Sequence, residues 1–397
     1  MLLALLICGG DSEGNKSSFL FAMTTNSSIF SVDHHNDDNE DVLESKFCTS
    51  ILSGDHNLLQ SLYLCKSDSN EDNKCYCEVC SVTCQKTDDD LEYIGVIPGY
   101  CDCDQSTCKN QLYEKHSSNR PLLNSKLLNR MSHEFESLFN TEKDVDNTIP
   151  SYVMTSWFNN DDFLKGCYIE SNELVKHSKD TFWLNKEQKP NCYLEFMAQQ
   201  VMIHHESKVP SDSELIGVEF WVQVKPWVQE VEQQQQQQHK SIGLHYDKDE
   251  NLAEDFNIGV YPYISTVTYL TTGGASTIIV SNMQQSPIGT PIGEITVSHA
   301  VKSKHICFNG TLLHGAPYIE QLNAPRPTDN NDGYDDLIVN ESKSRVTFLV
   351  NLWVDHKPLR VDSLPTNIRE KLKASSIFES NSICIDDVGF KRQNESI

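Results

Sequence analysis

Two hydrophobic periods divide the chain. In "CYLEFMAQQVMIHH" (Cys192–His205), Leu194, Met197, Ala198, Val201 and Met202 recur at three- and four-residue spacing, which predicts a helix with a core-facing stripe. Ten residues later the period becomes two. In "LIGVEFWVQVKPW" (Leu215–Trp227), Val218, Phe220, Val222 and Val224 alternate with Glu219, Trp221, Gln223 and Lys225, as on a strand with two different faces. Similar short segments follow at "IGLHYD", "YISTVTYLT", "STIIV", "GEITVS", "KHICFNG", "TLLHGA" and "SRVTFLVNLWVDH", most of them separated by Gly, Pro or Asn. Eight strands this close together leave no room for crossover helices, so an antiparallel sandwich or barrel is predicted.

The flanks read differently. Residues 1–45 are a leader and acidic linker, 46–115 a Cys-rich module, 120–365 helical support plus the β domain, and 366–397 a C-terminal helix and tail. A helix is expected at "HNLLQSLYLC" (His56–Cys65) and another in "LPTNIREKLKASSIF". The glutamines at Gln233–Gln238 fall between the first two strands and read as a polyglutamine surface loop; the acidic Asp329–Asp336 run separates the last two.

Composition narrows the partners. With 397 residues and a formal charge of −25, the chain lacks the clustered Lys and Arg that nucleic acid demands. No apolar run approaches the ~20 residues of a membrane span. The apolar stretch Leu2–Cys8 resembles a short secretory signal without its basic start, which leans the expected location toward the secretory pathway over the cytoplasm. Nine of the fourteen cysteines lie between Cys48 and Cys108, in spacings unlike a paired C-x2-C zinc ribbon. Disulfides are the expectation for this module and zinc the alternative.

The chemistry begins at "SIGLHYDKDE" (Ser241–Glu250). Residues i and i+2 share one side of a strand, so His245 and Asp247 point the same way with Tyr246 opposite. Unpaired, they are costly to bury; around a metal they are two of three ligands. A second histidine would complete the two-histidine, one-carboxylate set of non-haem Fe(II). Of His299, His305 and His314, the last is best placed, on a short apolar strand between Gly310 and Gly315. His299 and His305 are expected to be solvent-facing or surface hydrogen-bonded, and Lys248 and Asp249 to form a surface turn. Arg345 opens the last strand with Thr347 on the same side, a guanidinium beside a hydroxyl suited to gripping a carboxylate. Gln223 and Tyr269 could reach the same pocket; Trp221 reads as core.

The order of H-x-D, distal His and an Arg opening the last strand resembles the 2-oxoglutarate- and Fe(II)-dependent dioxygenases, and "STVTYLTTGGAST" resembles their prolyl-hydroxylase-type members. The resemblance covers roughly residues 215–358. It implies a mainly β fold, a double-stranded β-helix (jelly roll) with flanking α-helices beside the small N-terminal Cys-rich module. It implies a hydroxylase-type oxidoreductase acting on a protein side chain or small molecule, with 2-oxoglutarate and O2 as cosubstrates. Iron would be held by His245, Asp247 and His314, and 2-oxoglutarate by Arg345 and Thr347, with Gln223 and Tyr269 nearby. The stretch of about thirty residues from His314 to Arg345 is longer than the family's usual spacing, and the acidic "EQLNAPRPTDNNDGYDD" reads as an insertion there. Two other readings stay open: a cupin-like metal enzyme without 2-oxoglutarate, and a binding or scaffold protein that uses the Cys-rich module.

Overall fold

The eight stretches of period two all form strands. The computed structural model describes residues 160–226, 241–256, 258–280, 295–319 and 344–376, with shorter described stretches at 2–6, 20–24, 48–49, 52, 58–65, 74–83, 91–99, 101–103, 123, 126–128, 130–131, 154–158 and 390–391. The six glutamines and the acidic runs Asp33–Asp41 and Asp329–Asp336 lie outside the described residues.

In chain order the strands are β1 (Leu2–Leu6), β2 (Leu20–Thr24), β3 (Leu58–Cys65), β4 (Cys75–Cys77), β5 (Leu91–Gly99), β6 (Met154–Phe158), β7 (Phe182–Asn185) and β8 (Leu215–Pro226). They continue with β9 (Ile242–His245), β10 (Ile264–Tyr269), β11 (Thr277–Val280), β12 (Ile295–Ser298), β13 (Lys304–Asn309), β14 (Leu313–Ala316), β15 (Ser344–Val354) and β16 (Phe390–Lys391). The helices are α1 (Glu78–Thr83), α2 (Asp161–Leu174), α3 (Tyr193–Glu206), α4 (Glu250–Phe256) and α5 (Thr366–Ser376).

Two antiparallel sheets carry the β region. The larger runs β16-β6-β13-β10-β15-β8-β7 and the smaller β12-β11-β14-β9. From β8 onward the chain visits them in turn: β8, β10, β13 and β15 in the large sheet, and β9, β11, β12 and β14 in the small one. Strands that follow one another in sequence, apart from β11 and β12, therefore lie in different sheets.

The large sheet is apolar on both faces, each packed differently. On its outer face Val218, Phe220, Val346, Phe348, Val350 and Leu352 meet α2, α3 and α5. The stripe predicted on α3 is there: Leu194, Met197, Ala198, Val201 and Met202 are buried in this cluster. Asn160 caps α2, its Oδ1 accepting from the Phe163 amide at 2.9 Å. The inner face carries Val267, Tyr269, Ile306, Phe308 and Leu349, with Trp221 packed against them, and these meet Ile279 of the small sheet. Trp221 is half-buried and packs against this core without being enclosed in it.

The Cys-rich region forms a separate three-stranded sheet, ordered β4-β3-β5. Here the expected helix at His56–Cys65 is wrong: Leu58–Cys65 is strand β3, central between β4 and β5. Apolar residues in "LLQSLYLC" fit both periods, and pairing on both sides decides for the strand. Cys48, Cys75, Cys77, Cys80, Cys101, Cys103, Cys167, Cys192 and Cys307 are free thiols.

Candidate active site

Strands β9 and β14 are neighbours, and their register sets His245 directly opposite His314. Asp247 lies two residues beyond the end of β9 and turns back between the rings. Its Oδ1 is 3.5 Å from His245 Nε2 and its Oδ2 3.4 Å from His314 Nε2. One donor atom from each residue lies within 4.8 Å of the other two. Donors occupying adjacent positions around a metal at about 2.1 Å stand ~3 Å apart, so the set needs only a small contraction.

The imidazoles are oriented from behind. Nδ1 of His245 is 2.9 Å from the Gly243 carbonyl, and Nδ1 of His314 is 2.9 Å from the Leu312 carbonyl. A carbonyl only accepts, so Nδ1 carries the proton in both rings and Nε2 is the atom directed at Asp247. Ser265 donates to Asp247 Oδ2 at 3.1 Å. Burial alone would raise the Asp247 pKa, but the two histidines outweigh it and hold the carboxyl far below its ordinary range. Burial opposes a proton on His245 too, yet Asp247 prevails and raises that ring's pKa. The His245 side chain is 41% exposed against 9% for Asp247 and 4% for His314, so the cluster opens to solvent on the His245 side.

A second polar group lies deeper between the sheets. Arg345 is 3% exposed. Its Nη2 donates to Thr277 Oγ1 at 3.1 Å and its Nη1 approaches Thr347 Oγ1 at 3.4 Å, while the buried Nε finds no partner. Its guanidinium carbon stands 5.6 Å from the centre of the Tyr269 ring. No carboxylate pairs with it among the described residues, and burial pulls its pKa down. A cation kept dry without a counter-ion is expensive unless something negative comes to it. Gly274, at φ 92°, makes room for its stem: a Cβ there would come within 2.9 Å of Arg345 Cβ.

The two groups share one interior. Thr277 and Ile279 lie on the same face of β11, and Ile279 pairs with His314. From the guanidinium contact to the histidine is thus about 7 Å along the strand and about 5 Å across.

The other expected pocket residues fall around Arg345. Gln223, Thr347 and Tyr269 form one row across the large sheet, since Thr347 pairs with both of the others. The Tyr269 hydroxyl is turned to Thr277 Oγ1 at 2.7 Å and to the Ser298 carbonyl at 3.1 Å, so it braces the Arg345 contact.

Several polar groups were not anticipated. Ser265, Asn351 and Glu219 form another row on the same inner face, adjoining Asp247. Glu219 accepts from Trp353 Nε1 at 3.1 Å, and burial raises its carboxyl pKa to about 7, with the nearby Asp247 charge adding to the rise. Alternation put Glu219 on the face of Trp221 and Gln223, but did not reveal that this face is the interior. Thr277 gave no signal, because its role depends on which strand lies opposite.

Two expectations are corrected. Asp249 is not in a surface turn: it is buried, caps α4 through the Leu252 amide at 3.0 Å, and accepts from His356 Nε2 at 2.8 Å. His305 is buried on the outer face of the large sheet, its Nε2 2.9 Å from His205 Nε2. The strand β13 extends through this histidine, which carries it under α3. His299 is exposed, with Nδ1 2.9 Å from Ser276 Oγ, as expected.

No family model matches the sequence, and no curated protein matches it. Among solved structures, the chain is similar to a prolyl-4-hydroxylase of Pseudomonas putida at 12% identity, over 51% of this chain and 86% of that one, with a TM-score of 0.30. A viral collagen prolyl hydroxylase of Paramecium Bursaria Chlorella virus-1 is 14% identical over 53% and 96% of the two chains, with a TM-score of 0.28. HygX of Streptomyces hygroscopicus, solved with nickel and 2-oxoglutarate, is 10% identical over 55% and 86%, with a TM-score of 0.29. These identities and TM-scores are low, and the function has to rest on the residues of the site itself.

Proposed function

We propose that the protein is an Fe(II)- and 2-oxoglutarate-dependent dioxygenase of the hydroxylase type, built on a double-stranded β-helix. The observation that carries this reading is the pairing, within one interior, of a two-histidine, one-aspartate cluster with a buried guanidinium that has no counter-ion among the described residues. The donor set is the one that holds non-haem iron on one face and leaves the opposite face open. The guanidinium and the Thr347 hydroxyl suit a dicarboxylate whose other end reaches the metal. The alternating visits of β8 to β15 to the two sheets support the jelly-roll form.

When bound, iron with 2-oxoglutarate and O2 supplies oxidative attack on a C–H bond, with succinate and CO2 released. The chain's own residues bind and orient. His245, Asp247 and His314 would take the metal, their rings fixed by the Gly243 and Leu312 carbonyls and the carboxylate by Ser265. Arg345 would neutralise the distal carboxylate, with Thr277 and Tyr269 holding the guanidinium's direction. Val267, Leu349, Phe308 and Ile279 keep water out of the space between. The open side at His245 is where a protein side chain or small molecule would enter.

A cupin-like metal enzyme without 2-oxoglutarate has no use for the unpaired charge of Arg345, which disfavours that reading. The test is succinate formation from 2-oxoglutarate in the presence of Fe(II), which proceeds slowly even without the true substrate. The wild type should form succinate, His314→Ala should not, and Arg345→Ala should require far more 2-oxoglutarate. Equal 2-oxoglutarate dependence in wild type and Arg345→Ala would refute the assignment of that residue.

A further inference from the structure

The Cys-rich module contains a second convergence of metal-ligating atoms, remote from the histidines. Four buried cysteines, Cys48, Cys80, Cys101 and Cys103, bring their sulfurs within 4.8 Å of one another. They come from three places: Cys48 from the segment before β3, Cys80 from α1 just after β4, and Cys101 and Cys103 from the chain leaving β5. We propose that these four thiols form a tetrahedral zinc site that holds the module together.

Three observations carry this. First, the arrangement is a cluster and not two pairs. A disulfide brings two sulfurs to ~2.05 Å and needs nothing of a second pair. Four sulfurs around zinc at ~2.3 Å stand roughly 3.8 Å apart on every edge, and the Cys48 and Cys103 sulfurs are 3.4 Å apart. Second, the backbone is arranged for a thiolate. The Cys77 amide donates to Cys101 Sγ at 3.3 Å, the kind of N–H contact that stabilises a ligating sulfur from outside the coordination sphere. The chain that presents Cys101 and Cys103 is pinned to β4 between them: Asp102 N donates to the Cys75 carbonyl at 2.7 Å and Asp102 Oδ2 accepts from Cys75 N at 2.8 Å. Third, among the described residues the sulfurs lie at the heart of the module's buried cluster. That cluster consists of the cysteines Cys48, Cys77, Cys80, Cys101 and Cys103 with Tyr76, flanked by Leu91. The described core beside this small sheet is thus built mainly of sulfur, and four thiols gathered at one point hold a module together only with a metal between them.

Cys77 is the informative neighbour. Its sulfur lies 4.0 Å from Cys48 Sγ and contacts Cys80 and Cys101, yet it falls outside the four that are mutually within 4.8 Å, while its amide donates to Cys101 Sγ. The site also bears on the rest of the chain. Leu52, four residues after Cys48, packs in a cluster with Leu123, Leu127, Phe256 and Trp353 of the β region. A metal gripping Cys48 would fix the chain just ahead of that anchor.

The test uses the full chain, purified under reducing conditions. Elemental analysis should find one equivalent of zinc that persists in His314→Ala, which separates this site from the histidine cluster. Cys80→Ser and Cys101→Ser should lose that zinc, and Cys77→Ser should keep it. Should the serine variants fail to fold, the wild type decides alone. Replacing the zinc with Co(II) should give the intense visible bands of tetrahedral thiolate coordination, and four thiols should become open to alkylation only after chelation. A zinc-free protein, whether its cysteines are thiols or its intact mass is short by two hydrogens per cysteine pair, would overturn the proposal. So would zinc lost in His314→Ala but kept in Cys80→Ser.

Discussion

Glu219 and Asp247 are two buried carboxyls that face the same interior with opposite titration behaviour. Asp247 is held ionised by the histidines; burial, with no cation beside it among the described residues, pushes Glu219 from 4.5 to about 7. The folded protein thus holds the Glu219 proton more tightly than the unfolded chain does. The stability this proton gives is complete below about pH 4.5, shrinks as pH rises, and is gone above about 7. Glu219→Gln keeps an acceptor for Trp353 Nε1 without the charge. In the metal-free protein it should be more stable than the wild type at pH 8, by up to about 3 kcal/mol, and equal to it at pH 4. Denaturant midpoints at the two pH values check this, and a variant less stable at pH 8 would contradict it. Arg345→Ala should cost roughly 2–5 kcal/mol of 2-oxoglutarate binding, at least about thirtyfold in Kd, and leave Fe(II) affinity near that of the wild type. Calorimetric titration of each ligand measures the two effects separately. The residues that could be named from sequence were those whose chemistry is costly to bury without a purpose: His245, Asp247, His314 and Arg345. Ser265 and Thr277 could not, since a hydroxyl in a strand fits either face and its partner depends on the fold.

At the scale of elements, two glycines set the positions of the two halves of the site. A Cβ on Gly315 would come within 2.6 Å of the Gly243 carbonyl, on the strand that carries His245. Gly315→Ala should therefore push β14 from β9, separate the histidines and weaken Fe(II) binding more than 2-oxoglutarate recognition. Gly274→Ala should do the reverse, because its Cβ would crowd Arg345 and its positive φ disfavours any side chain. Parallel metal and cosubstrate titrations distinguish the two; identical effects of both substitutions would count against this division. Strands β8, β10, β13 and β15 were legible because alternation persists where one face packs on helices and the other on the interior. The strand Leu58–Cys65 was not, since its short apolar run fits a helix face equally well. Asp249 was misread for a related reason: "DKDE" looks like a surface turn until His356 and α4 close over it.

Across the whole molecule, the order of the strands could not be read from their existence. Alternation identified eight strands and an antiparallel class, but not that successive strands cross between two sheets. That crossing is what brings β9 beside β14 and sets Arg345 on β15 against Thr277 on β11. The charge of −25 belongs to this scale too. On the proposed reading, a dianionic cosubstrate approaching so acidic a chain gains nothing from long-range attraction and would draw its affinity from the buried guanidinium. Added salt should therefore leave 2-oxoglutarate binding nearly unchanged or slightly improved, and a steep loss of affinity with salt would argue for surface capture instead.

The most direct measurement is anaerobic titration of the purified protein with Fe(II) and then 2-oxoglutarate, following the visible charge-transfer absorbance of a keto acid chelated to iron. The account predicts a band that appears in the wild type only when both are present, is absent in His314→Ala, and in Arg345→Ala requires far higher 2-oxoglutarate. Fe(II) binding that depends on His314 but gives no band at any 2-oxoglutarate concentration would contradict it.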